Sequence, residues 1–179
     1  HRRGPPRLDF SVRAHDGLGR LLVLQGGIRQ GDLGRLRAFL EGLGAAPEAV
    51  ALESPGGDVF EALAIGRFIR RAGLATAVLA ESYCYSSCPY ILAGGATRHV
   101  SRAAWVGLHQ HYFDTPGLVP AFLAVEDIQK GQGATMRYLI EMGIRPALML
   151  HSLTTPPDQI YVLVEEELLE TGLATDITD

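Results

Sequence analysis

Short apolar runs alternate with helix-periodic segments along most of this chain, and no other feature restricts its fold so strongly. Ala49 to Leu52 is an apolar run of strand length, and Val59, Ala62, Leu63, Gly66 and Ile69 then recur at helical spacing before Gly73 stops the pattern. Leu74 to Ala80 reads as the next strand, Ser87 to Ala93 as a short helix closing on Gly94-Gly95, and two further strands are expected near Thr97–Ser101 and Ala104–Leu108. Strands joined in this way through helices become parallel neighbours linked by right-handed crossovers, so the fold class is α/β.

The flanks are consistent with this class. Leu8–Val12 and Leu21–Ile28 bracket an Asp16-Gly17 turn, which gives a hairpin or two successive strands. Asp32 is placed to cap a helix carrying Leu33, Leu36, Leu40 and Leu43 and ending at Gly44. Downstream, residues 119–143 are mainly helical despite Gly131 and Gly133, Pro146 to Leu153 forms another helix, and the tail repeats strand, helix and strand.

The 179 residues suit one domain, large enough to bury roughly 70% of the unfolded chain's surface. A composition 47% apolar and 20% charged excludes a disordered or fibrous chain, and a net charge of −4 gives no reason to expect nucleic acid as partner. Residues 1–7, rich in arginine and proline, read as a flexible leader. No apolar run approaches the roughly 18 to 20 residues that span a bilayer, and no signal-peptide pattern is visible. The first residue is His rather than Met, which leaves room for a removed upstream segment, an export signal included. Cys84 and Cys88 are the only cysteines, and a zinc site would need a second pair of ligands that is not there. Two readings of them stay open: a disulfide, which implies an oxidising, periplasmic or secreted location, or two buried thiols in a cytoplasmic protein.

Acyl transfer needs a nucleophile, a base and donors aimed at the oxyanion, and three short motifs together offer all of them. Gly56-Gly57 follow a strand and precede a helix, where main-chain N–H groups are left uncovered. Ser86 and Ser87 stand at a second strand-to-helix junction. His109 follows the apolar end of a strand, in Val106-Gly107-Leu108-His109; His111, two residues further into the loop, is the weaker candidate for a base. Singly, a Pro-Gly-Gly turn is usually a turn and a serine before a helix is usually a cap. Their conjunction is what points to a serine hydrolase.

Ser54-Pro55-Gly56-Gly57, Cys84-Tyr85-Ser86-Ser87-Cys88, Gly94, Arg98 and His109-Gln110 together resemble the pattern of the ClpP proteolytic subunits of the ClpP/crotonase superfamily. The spacing from Gly57 to Ser86 matches without a gap, and that from serine to histidine is two residues shorter. The Cys-x-Ser-x-Cys box is closer still to a group of ClpP-like bacterial proteins of periplasmic type. The resemblance covers about residues 47–176 and implies a spiral of parallel strands with flanking helices, a peptide or protein substrate, self-assembly and no cofactor. It makes Ser86 the nucleophile, with Ser87 as its rival, His109 the base, and Gly57 and Ser87 the oxyanion donors. The third triad member falls on Asp158 by distance, or on Ile160 if the tail motif Glu165–Gly172 sets the alignment. ClpP has Ser-Met-Gly where this chain has Ser86-Ser87-Cys88-Pro89, so the pocket beside the serine must differ. Signal-peptide peptidase relatives use a Ser-Lys dyad, which makes the only lysine, Lys130, an alternative base. Two other functions share the fold: a non-catalytic binding or assembly module, and a crotonase-like enzyme acting on acyl-CoA.

Overall fold

The computed structural model describes residues 4–111 and 120–179. Strands β1 (Asp9–His15) and β2 (Gly19–Gln25) form an antiparallel hairpin across the Asp16-Gly17 turn, and α1 (Asp32–Glu41) follows. Then come β3 (Ala49–Glu53), α2 (Val59–Arg71), β4 (Ala75–Val78), β5 (Tyr83–Tyr85), α3 (Cys88–Ala93), β6 (Arg98–Ser101) and β7 (Trp105–Leu108). The remainder comprises the long α4 (Ala121–Met142), a 3₁₀ turn running into α5 (Met149–Thr154), β8 (Tyr161–Val162), α6 (Glu165–Thr171) and β9 (Asp176–Thr178). Gly131 and Gly133 do not interrupt α4.

Two sheets result. The larger runs β1-β2-β3-β4-β6-β9 and is parallel throughout apart from the opening hairpin. The smaller runs β5-β7-β8, with β5 and β7 parallel and β8 antiparallel to β7. An isolated bridge from Ser54 to Cys84 passes the chain beyond β3 alongside β5, which brings the ends of three strands together. Apolar residues of the larger sheet and of α2, α3 and α4 share one core. Helices α2 and α3 touch closely within it: Gly94 sits so near Gly66 that an added Cβ would stand 2.3 Å from the Gly66 carbonyl oxygen.

One sequence expectation changes here. Asp32 is not the cap of α1 but its first residue; Gly31, at φ +93°, takes the cap position, and Glu61 of α2 accepts from the N–H groups of Gly31 and Leu33. The Asp32 carboxylate is instead buried, where Arg7 and Arg35 each reach Oδ1 at 2.9 Å and the Arg29 N–H reaches Oδ2. The same pairing engages the end of the stretch read as a flexible leader, residues 1–7. Residues 1–3 lie outside the described residues, but Pro6 accepts from the Gly27 N–H at 2.7 Å and Arg7 is tied to Asp32.

Candidate active site

Register explains why Ser86 and His109 meet. Strands β5 and β7 run parallel with Tyr85 opposite Gly107, and the Ser86 N–H donates to the Gly107 carbonyl at 3.0 Å. Both chains then leave the sheet at the same edge, one residue and two residues further on. Ser86 Oγ lies 2.7 Å from His109 Nε2. The serine backbone is left-handed, with φ +64°, an unusual state for a residue bearing a Cβ and the one that turns a strand sharply into a helix. Gly56 makes the turn possible from the other side: its missing Cβ would fall 2.5 Å from Ser86 Cβ.

Gly57 is placed by the same strand ends. The bridge between Ile28 and Gly57 uses the Gly56 carbonyl and the Asp58 N–H, so the N–H and carbonyl of Gly57 itself face the opposite edge. There the Ser87 hydroxyl donates to the Gly57 carbonyl at 3.1 Å. Among the described residues, no hydrogen bond engages the main-chain N–H of Gly57 or of Ser87. Ser87 is fully buried with its hydroxyl committed, whereas Ser86 keeps 9% exposure and faces an imidazole. Cys84 and Cys88 are joined as a disulfide with Cα atoms 5.2 Å apart, which closes a loop around both serines.

The group on His109 Nδ1 is not the one the spacing suggested. Asp158 is exposed, in a turn after Pro156-Pro157 where the Gln159 N–H bonds back to the Pro156 carbonyl. This turn presents the main-chain carbonyl of Gln159, 2.9 Å from His109 Nδ1. Ile160, the alternative position, lies in the same segment with its Cγ2 packed over Gly107. Lys130 stands on the exposed side of α4, paired with Glu126 at 2.9 Å, which raises its pKa and leaves no role for it as the base of a dyad.

His111, the weaker candidate for the base, is also the farther of the two imidazoles from Ser86 Oγ, but it too enters the site. The segment after β7 is held by Gln110, whose N–H donates to the Thr155 carbonyl and whose side chain donates to the Leu153 carbonyl. His111 is thereby turned inward, with Nε2 2.9 Å from the Tyr90 hydroxyl and Nδ1 3.5 Å from Ser86 Oγ. Burial pushes its imidazole pKa down to about 4, with the neighbouring His109 adding to the shift. Burial also drives the Tyr90 phenol upward.

No protein-family model matches the chain, and no curated protein matches it in sequence. Among solved structures it is similar to a point mutant of ClpP1 from Listeria monocytogenes, with a TM-score of 0.65 over 89% of this chain and 91% of that one. The chain has the ClpP fold. Sequence identity to that structure is 16%, so the likeness concerns architecture alone. Within the ClpP fold, this chain carries a serine and a histidine in hydrogen-bond contact at the edge where three strands end. In chemical terms, the His109 Nδ1–H donates to a carbonyl, which can only accept, so a neutral ring presents its Nε2 lone pair to the Ser86 hydroxyl. No helix of the described residues is long and apolar enough to cross a membrane.

Proposed function

We propose that the chain is a serine hydrolase acting on peptide bonds. The observation that carries this reading is the 2.7 Å contact between Ser86 Oγ and His109 Nε2, made at a left-handed turn that presents the hydroxyl. Ser86 Oγ attacks the scissile carbonyl as its proton passes to His109, and the N–H groups of Gly57 and Ser87 receive the oxyanion. His109 then protonates the leaving amine, and water releases the acyl group by the same steps in reverse. The Gln159 carbonyl orients the imidazole, though without the full charge that a carboxylate would offer the imidazolium. Turnover by the isolated chain is accordingly slow.

A cavity of about 160 Å³ with a mixed lining that includes Tyr90, His111, Ile128, Gln132, Thr135 and Met149 reaches the site through His111, which contacts Ser86, and receives a short side chain of the substrate. The protein works in an oxidising compartment, periplasmic or secreted, as a member of the ClpP-like group of periplasmic type; the buried disulfide supports this reading. Copies assemble through α4, which exposes Phe122, Val125, Met136 and Ile140. A monomeric mass by light scattering would refute that assembly.

The hydrolase reading is tested with a fluorophosphonate probe on the wild type and on Ser86→Ala, Ser87→Ala and His109→Ala. Labelling is expected in the wild type, absent in Ser86→Ala, strongly reduced in His109→Ala and retained in part in Ser87→Ala. Labelling that survives Ser86→Ala but not Ser87→Ala assigns the wrong serine, and none in the wild type defeats the reading.

A further inference from the structure

Ser86 Oγ is contacted by two imidazoles, and the mechanism above uses only one. His109 and His111 approach edge to face with ring centroids 5.8 Å apart, and both reach the same oxygen. The far nitrogen of His111 is engaged by Tyr90, whose ring is fully buried and lies 5.4 Å from that of His111. Four hydrogen bonds therefore run in series from the Gln159 carbonyl through His109, Ser86 and His111 to the Tyr90 hydroxyl.

One end sets the direction of the whole series. A carbonyl accepts only, so His109 donates from Nδ1 and, as a neutral ring, accepts the Ser86 proton at Nε2. Ser86 Oγ has then given its only hydrogen away and can only accept from His111, which must carry its proton on Nδ1. Nε2 of a neutral His111 is left bare and accepts from Tyr90 Oη–H. Within these four contacts, each donor then meets an acceptor.

We propose that His111 is a second catalytic histidine, whose Nδ1–H holds the Ser86 hydroxyl from a direction of its own and steadies charge on Oγ while the hydroxyl proton resides on His109. This rests on the hydrolase reading. In acylation the Oγ–carbon bond forms, the carbonyl electron pair moves to the oxyanion, and the hydroxyl proton goes to His109. In deacylation the bond breaks, its electron pair returns to Oγ, and His109 gives a proton back to that oxygen. Charge builds on Oγ at both points, and His111 keeps its own proton throughout. The 3.5 Å separation is long for a hydrogen bond at rest, as is common for contacts that tighten when charge develops. Burial keeps His111 neutral down to about 4, so a second cation does not form beside the His109 imidazolium.

Two measurements on the full chain test this. Nitrogen-15 NMR of the histidine-labelled wild type near neutral pH is expected to show His111 protonated at Nδ1 and bare at Nε2; a proton on Nε2 overturns the proposal whether or not the chain hydrolyses anything. The rate of fluorophosphonate labelling is expected to fall about tenfold or more in His111→Phe, which keeps the ring and removes the donor. His111→Asn, whose amide N–H can stand in for Nδ1–H, is expected to recover most of the rate. Wild-type labelling in His111→Phe overturns the catalytic role while leaving Ser86 and His109 in place. A wild type that never labels overturns the hydrolase reading and this role together, even with the tautomer as assigned.

Discussion

Gly56 leaves the nucleophile no spare room: a Cβ built there stands 2.5 Å from Ser86 Cβ and 3.0 Å from its Oγ, on a backbone at φ +101° that side chains rarely adopt. Gly56→Ala must therefore move either the turn or the serine. It is expected to destabilise the protein by about 1–3 kcal/mol and to cut fluorophosphonate labelling at least tenfold, read by urea unfolding and by labelling rate. Ser86→Gly makes the complementary case. It removes the side chain from a left-handed position that costs a residue with a Cβ roughly 1–2 kcal/mol, so the variant should be inactive yet no less stable. A marked loss of stability in Ser86→Gly would show that the hydroxyl helps to hold the fold rather than being held by it.

At the scale of elements, the disulfide ties the middle residue of β5 to the first turn of α3, and both cysteines are fully buried. Closing a loop this short restricts the unfolded chain by about 2 kcal/mol, so the double variant Cys84→Ser, Cys88→Ser should lose about that much stability. It should also lose labelling more steeply than stability, because the loop being closed is the one that carries Ser86. In the folded wild type a thiol reagent should modify neither cysteine until denaturant and a reductant are both added; modification in denaturant alone would contradict the disulfide, and modification in reductant without denaturant the burial. Strand β7 and helix α3 were legible in sequence as a short apolar run and a helix start, but β5, only three residues long, read as a loop and was not. The partner of His109 was not, since a main-chain carbonyl carries no residue signature, and Gln159 could not be told from its neighbours. The Tyr90–His111 contact was equally hidden: it joins α3 to the segment after β7, and nothing local to either announces the other.

Across the whole molecule, alternation of strand and helix was enough to give the class, because parallel strands need long crossovers. It did not show that β5, β7 and β8 leave the main sheet to form their own, a choice made by contacts distant in sequence. His111 follows β7 of that smaller sheet and is largely withdrawn from water, which has a consequence for the stability of the entire chain. Unfolded, this imidazole takes up a proton near 6.5; folded, it does so only near 4, against Tyr90 and the neighbouring His109. Above about 6.5 it is neutral in both states and has no effect on the balance. As pH falls from there towards 4 the unfolded chain binds the extra proton, so stability is lost across that window and the contribution levels off below it. The loss is on the order of 2–3 kcal/mol. Urea unfolding at pH 7 and pH 4.5 should therefore show a larger acid loss in the wild type than in His111→Gln, the other histidines being common to both. Equal losses in the two proteins would mean that His111 is hydrated in solution, and that the ring does not lie against Tyr90 and Ser86 as described.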